Sequence, residues 1–160
     1  MLVLAGCLVE KDGKLLMVQE AKKKWYGMWN FPSGHVEDNE TIKEAAIREV
    51  FEETGCKVRL IGFLPITTIV LGDIKAIVIR FIGEIIEENI NFNKDEILDV
   101  KWFDKTKIKS MSDNEIRGYE TCMDTLKWYE EGKIYPLDIF DDNIYLRWRR
   151  KVWKNILEEL

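Results

Sequence analysis

Two spacings of apolar residues alternate along this chain, and each predicts a different kind of element. Leu2 to Val9 and Lys14 to Glu20 are dense in aliphatic residues and predict two strands, joined by the hairpin signal Lys11-Asp12-Gly13. Val58 to Leu71 is again β-prone, interrupted by Pro65, which predicts an edge position or a bulge. A turn at Gly72-Asp73 precedes a strand over Ile74 to Ile85, and the polar stretch Asn89 to Lys94 reads as a loop. A strand around Val100 to Phe103 follows, with Asp104 placed to cap a short helical turn. Helical spacing predicts a helix from about Asn39 to Thr54, capped by Asp38 or Asn39 and ended by Gly55. Ile47, Val50 and Phe51 are its expected core stripe. Ser112 with Glu115 forms a capping box opening a helix with stripe Ile116, Tyr119, Met123, Leu126 and Tyr129, stopped at Gly132. A last helix spans Ile144 to Leu160, with Tyr145, Trp148, Val152, Ile156 and Leu160 against the basic Arg147, Arg149, Arg150, Lys151 and Lys154. Periodicity alone gives a mixed α/β unit.

Composition narrows the partners. At 160 residues the chain suits one domain, and 46% hydrophobic with 33% charged residues is ordinary for a soluble globular protein. A net charge of −5 argues against non-specific nucleic-acid binding, which needs a basic surface. Cys7, Cys56 and Cys122 are odd in number and lack CxxC spacing, which disfavours a disulfide framework or zinc site and fits a reducing cytoplasm. No apolar run approaches a membrane span, and Met1-Leu2-Val3-Leu4 lacks the charged start of a secretion signal.

The candidate chemistry lies on the first helix. Glu49, Glu52 and Glu53 share one arc of its surface, in the last turns, where like charges repel and the helix dipole disfavours anions. A sequence shaped by stability alone would put Lys there. Clustered carboxylates call for a hard divalent cation, and Mg²⁺ prefers oxygen ligands shared with substrate phosphates. Arg48 stands four residues before Glu52 and four after Glu44, spaced to bridge both, and Glu40 lies near the helix start. Lys22-Lys23-Lys24 reads as a solvated run from which a phosphate would recruit one lysine. In the aromatic stretch Trp25-Tyr26-Gly27-Met28-Trp29, the rings read as buried anchors or as a stacking surface for a substrate ring.

Gly34, Glu40 and Arg48-Glu49-Val50-Phe51-Glu52-Glu53-Thr54-Gly55, at these spacings, resemble the Nudix box, the signature of hydrolases acting on nucleoside diphosphates linked to another moiety. Average residue frequencies put a chance match at roughly one in a million. Cys56 stands where the family prefers an aliphatic residue, and cysteine serves there as a small hydrophobe. The resemblance implies an α/β/α sandwich with a mixed, barrel-like β-sheet, here with an additional C-terminal helix. Residues 1–142 would form the Nudix domain and 143–160 a helical extension of it. It implies Glu49, Glu52 and Glu53 as metal ligands, with the backbone carbonyl of Ser33 or Gly34 adding another. Glu52 or Glu53 would also orient or deprotonate water, with Arg48 orienting a box glutamate and Glu40 structural. Glu96 lies where some members place a further catalytic or metal-binding carboxylate. Trp29 and His35 are the candidate substrate contacts. Mg²⁺, or Mn²⁺, is the implied cofactor.

Trp29-Asn30-Phe31-Pro32-Ser33-Gly34-His35-Val36-Glu37 and Trp128-Tyr129-Glu130-Glu131-Gly132-Lys133-Ile134-Tyr135-Pro136-Leu137 are similar to the NudJ-like phosphatase branch of the family. That branch takes phosphate from thiamine-pathway pyrophosphates and from nucleoside di- and triphosphates. Competing expectations are a nucleotide-sanitising MutT-like triphosphatase, an ADP-ribose-type pyrophosphatase, and a non-catalytic nucleotide sensor. The expected partner is a small phosphorylated metabolite or nucleotide, with no nucleic acid and no membrane. The basic tail is expected to pack on the domain; the other readings are homodimer contacts or an anionic partner.

Overall fold

The computed structural model describes the backbone of residues 1–158 and the side chains through Lys151. Eight strands form one sheet: β1 (Leu2–Lys11), β2 (Lys14–Glu20), β3 (Trp29–Asn30), β4 (Ser33–His35), β5 (Lys57–Phe63), β6 (Thr67–Leu71), β7 (Ile74–Glu87) and β8 (Ile97–Asp104). The helices are α1 (Ile42–Thr54), α2 (Lys105–Ser110), α3 (Tyr119–Glu130) and α4 (Asn143–Glu158). The sheet runs β3-β2-β1-β7-β5, with β4 added on β1, β6 on β7 and β8 on β2. Its path is open, so the sheet is mixed but not a closed barrel. β1 and β7 run parallel and the other named pairs antiparallel. A parallel pair needs a crossover, and the chain between β1 and β7 supplies one that carries α1.

Alternation along β1 separates two cores. Ala5, Cys7 and Val9 join Ala45, Ala46 and Val50 of α1, while Leu8 joins Ile108 of α2 and Cys122 and Leu126 of α3. Helices therefore cover both faces, which is the expected three-layer sandwich. Cys56 is fully buried in the α1 core, as an aliphatic residue would be. The Asp12-Gly13 turn has positive φ at both residues (52° and 78°), which matches the twist of the β1–β2 hairpin. Pro65 divides the long predicted strand into β5 and β6, both paired to β7.

Several boundaries differ from the sequence reading. Thr41, not Asp38 or Asn39, caps α1: its hydroxyl accepts from the Glu44 N–H at 3.1 Å, and the Glu44 carboxylate accepts from the Thr41 N–H at 2.8 Å. A Thr-x-x-Glu box satisfies two helix-end donors at once, more than a lone Asp or Asn offers. Val50 is buried, but Ile47 and Phe51 are 39% and 50% exposed, and the small Ala45 and Ala46 face the sheet instead. Their size lets the helix approach closely. Ser112 and Glu115 do hydrogen-bond, yet they close only a turn. The left-handed Gly118 (φ 64°) intervenes, and α3 starts at Tyr119.

The tail helix α4 sits on the loop that leads into α1. The Tyr145 hydroxyl donates to the Asp38 carbonyl at 2.9 Å, Arg149 donates to the Asn39 carbonyl at 2.8 Å, and Lys43 pairs with Asp142 at 2.8 Å. These are polar contacts, and Trp148 of the predicted stripe is 60% exposed. Val152, Lys154, Ile156 and Glu158 to Leu160 lie outside the described side chains. No helix among the described residues is long and apolar enough to cross a membrane.

Candidate active site

α1 lies against β4, the short strand that carries Ser33, Gly34 and His35 beside the start of β1. Arg48 ties the two together. Its Nε and Nη2 donate to both carboxylate oxygens of Glu40 (2.8 and 2.7 Å), and Nη2 also donates to the His35 carbonyl (2.9 Å). Nη1 donates to Glu49 (2.7 Å) and to Glu52 (3.0 Å). A guanidinium carries five N–H donors, and these contacts match that number. The predicted bridge to Glu44 is absent, because Glu44 points to Thr41 and Arg149 instead. Besides gripping Arg48, Glu40 accepts from the Glu37 N–H.

The three box carboxylates occupy different environments. Glu52 is exposed. Glu49 is half-buried against Gly34, where a Cβ would stand 2.1 Å from its Oε1, so only glycine leaves room for the carboxylate. Burial pushes the Glu49 carboxyl above the usual range, with Arg48 pulling it down and Glu52 adding to the rise. Glu53 is held by the Ser33 N–H at 3.0 Å. Its carboxyl is pushed well above the usual range, first by burial and then by the charge of Glu49. The Ser33 hydrogen bond and the charge of Lys22 pull the other way. Among the described residues, no three Asp, Glu, His or Cys side chains are gathered at the spacing of a single ion site. The donor chemistry still suits a hard divalent cation. The site offers oxygen ligands alone, and burial disfavours the charged form of two of its carboxylates, Glu49 and Glu53.

Residues 2–123 match the NUDIX domain family. The chain belongs to the Nudix family. It is 31% identical over 143 residues to the phosphatase NudJ of Escherichia coli K12, covering 88% of this chain and 90% of that protein. Its fold is similar to a NUDIX hydrolase from Nitrosomonas europaea (TM-score 0.79, 27% identity, 88% of this chain and 95% of that one). It is also similar in fold to a MutT protein from Methanosarcina mazei (TM-score 0.70, 24% identity, 82% and 95%).

The other predicted Nudix site residues are placed as follows. His35 is exposed, and its carbonyl, not its ring, engages the box through Arg48. Trp29 packs edge-on against Phe103 at 4.8 Å with Lys101 over its ring, as a core anchor. Glu96 is exposed in the loop before β8, and its backbone pairs with Ala21 and Asn93. Sequence reasoning missed Glu20 and Arg117. Glu20, 3% exposed, accepts from Arg117 at 2.6 Å, and its charge reaches Glu53. Ser33, expected to offer its carbonyl, holds Glu53 through its N–H, and Trp25 of the aromatic stretch lines a cavity with Asn30, Ser33 and Arg80. An acid closing a β-prone run is the one signal the sequence offered for Glu20.

The Arg48–Glu40 pair makes a pH prediction. Hydrogen bonding to Arg48 holds the Glu40 carboxyl below its usual range, with the Glu37 N–H helping. The pair's stabilisation is therefore complete above the unfolded carboxylate pKa, about 4.3, and is lost as pH falls through the lower folded value. In urea titrations from pH 7 down to 3, wild type should lose stability below about pH 4.3 faster than Glu40→Gln, which lacks this group. Parallel curves would show that the pair contributes nothing.

Proposed function

We propose that this Nudix enzyme is a divalent-metal-dependent hydrolase that cleaves a phosphoanhydride in a nucleoside di- or triphosphate or a related pyrophosphate metabolite in the cytoplasm. Mg²⁺ is the proposed ion. The observation that carries the reading is the pairing of two enclosed, charge-crowded carboxylates, Glu49 and Glu53, with an arginine that fixes Glu49 and Glu52 from one nitrogen. Glu49, Glu52 and Glu53 are the proposed ligands, with the Gly34 backbone beside Glu49 as a further oxygen donor. A bound divalent ion would neutralise phosphate charge and acidify water. The chain's own contribution is orientation. Arg48 limits the rotamers of Glu49 and Glu52, and the Ser33 N–H aims Glu53, whose raised affinity for a proton suits it to accept one from water. Likeness to the NudJ phosphatase supports removal of a terminal phosphate.

³¹P NMR on a panel of nucleoside di- and triphosphates and pyrophosphate metabolites with MgCl₂ tests this. The expected product is orthophosphate, and EDTA should stop the reaction. Pyrophosphate or a nucleoside monophosphate from a dinucleotide would replace the phosphatase reading with a pyrophosphohydrolase one. Tight nucleotide binding without turnover would replace both with a sensor.

A further inference from the structure

Arg80 on β7 is 8% exposed, and its Nε and Nη1 have no hydrogen-bond partner in the protein; Oδ1 of Asn30, 6% exposed, has none either. Both side chains line one cavity of about 90 Å³, shared with Trp25, Ser33, Arg117 and aliphatic side chains of β6 and β7. The room is built in: a Cβ on Gly6 would stand 3.1 Å from Arg80 Nη1 and 2.7 Å from Ser33 Cβ. The local charge is unbalanced. Arg117 is paired with Glu20, but among the described residues Arg80 has no acidic partner, and its charge is disfavoured first by burial and then by the nearby Arg117. Its aromatic neighbour, Phe31 at 5.8 Å, offers only a weak cation–π contact. Taking a cation out of water without an anion is costly, and an apolar side chain of similar length would serve the fold better. A local rule broken this way points to function.

We propose that the Arg80 cavity is an oxyanion subsite, taking one phosphate or carboxylate group of the substrate. It rests on the hydrolase reading only in assigning that oxyanion to the substrate. Placement supports the assignment. Ser33 lines the cavity, its hydroxyl accepts from the Asn30 amide at 3.4 Å, and its N–H holds Glu53 at 3.0 Å, so one residue separates this subsite from the box. A guanidinium presents donors in the fixed plane that an oxyanion matches, and charge-assisted contacts of this kind are strong when water is excluded.

The test needs no metal and no turnover. In EDTA at constant ionic strength, calorimetry with inorganic phosphate, and separately with acetate, is run on wild type, Arg80→Met and, as a control for loss of one positive charge, Arg59→Met, whose exposed side chain lies outside the cavity. Wild type and Arg59→Met should bind one of the two anions alike, and Arg80→Met at least about tenfold more weakly. The preferred anion tells phosphate from carboxylate. In steady-state assays of the accepted substrate, Arg80→Met should raise KM by a similar factor. Should Arg80→Met not fold, Arg80→Gln carries the same comparison. Equal anion binding by wild type and the Arg80 variant, or no binding by either, overturns the subsite. If no phosphoanhydride is turned over while the anion result holds, the hydrolase reading fails and the subsite stands.

Discussion

Glu53→Gln is expected to lose at least about 10³-fold in turnover while its thermal stability stays at or above that of wild type. The two halves of this result have one cause. Glu53 is enclosed beside Glu49, and both burial and that neighbouring charge disfavour its ionised form. A group whose folded pKa is raised above its unfolded value costs stability at pH values where it is ionised, so replacing it with a neutral amide relieves the fold at pH 7. The amide oxygen still accepts the Ser33 N–H, so the geometry survives. What is lost is the charge proposed to hold a cation and the basicity proposed to serve water. Glu52→Gln should lose turnover comparably with no change in melting temperature, because its side chain is 55% exposed and its one ion pair is screened. Melting curves and initial rates on the same preparations check both. Wild-type-like turnover in either variant removes the assigned roles. A marked fall in melting temperature for Glu53→Gln makes it a structural acid.

Arg48→Lys comes next in size. An ammonium has three donors around one point, whereas Arg48 spans Glu40, Glu49, Glu52 and the His35 carbonyl from a planar fork. Its side chain is 23% exposed and that of Glu40 10%, so the lost contacts are only partly replaced by water. The expected loss is about 2 kcal/mol in urea denaturation, from two charge-assisted bonds that lysine cannot remake. Turnover should fall about 10²-fold, as happens when a group that orients metal-binding side chains is removed. A double-mutant cycle with Glu40→Gln should return a coupling of about 1–3 kcal/mol. If Arg48→Lys stays within about 0.5 kcal/mol and twofold of wild type, the fork does not organise the box.

Much of this molecule is legible one segment at a time. β2 has its predicted bounds, the Gly72-Asp73 turn joins β6 to β7, and Pro65 breaks a long β-prone run because it cannot donate to the ladder. The box spacing alone puts Glu49, Glu52 and Glu53 on one arc of a helix ended by Gly55, whose φ of 78° and N–H bond to the Phe51 carbonyl are those of a C-cap. These are consequences of period and local sterics, which need no knowledge of the rest of the chain. Other features were not legible. Arg48 turns to Glu40 rather than Glu44, whose carboxylate takes the Thr41 N–H at 2.8 Å and meets Arg149 from 105 residues away. Glu49 is enclosed because β4 lays Gly34 on it. Arg80, Asn30 and the Glu20–Arg117 pair meet only because strand pairing folds β1, β2, β3 and β7 side by side. A helix or turn is set by neighbours a few residues apart, so the sequence by itself determined which acids the box presents. Burial and charge balance depend on long-range packing, so the tertiary structure alone decided which of those acids are enclosed and that Arg80, among the described residues, is buried without an acidic partner.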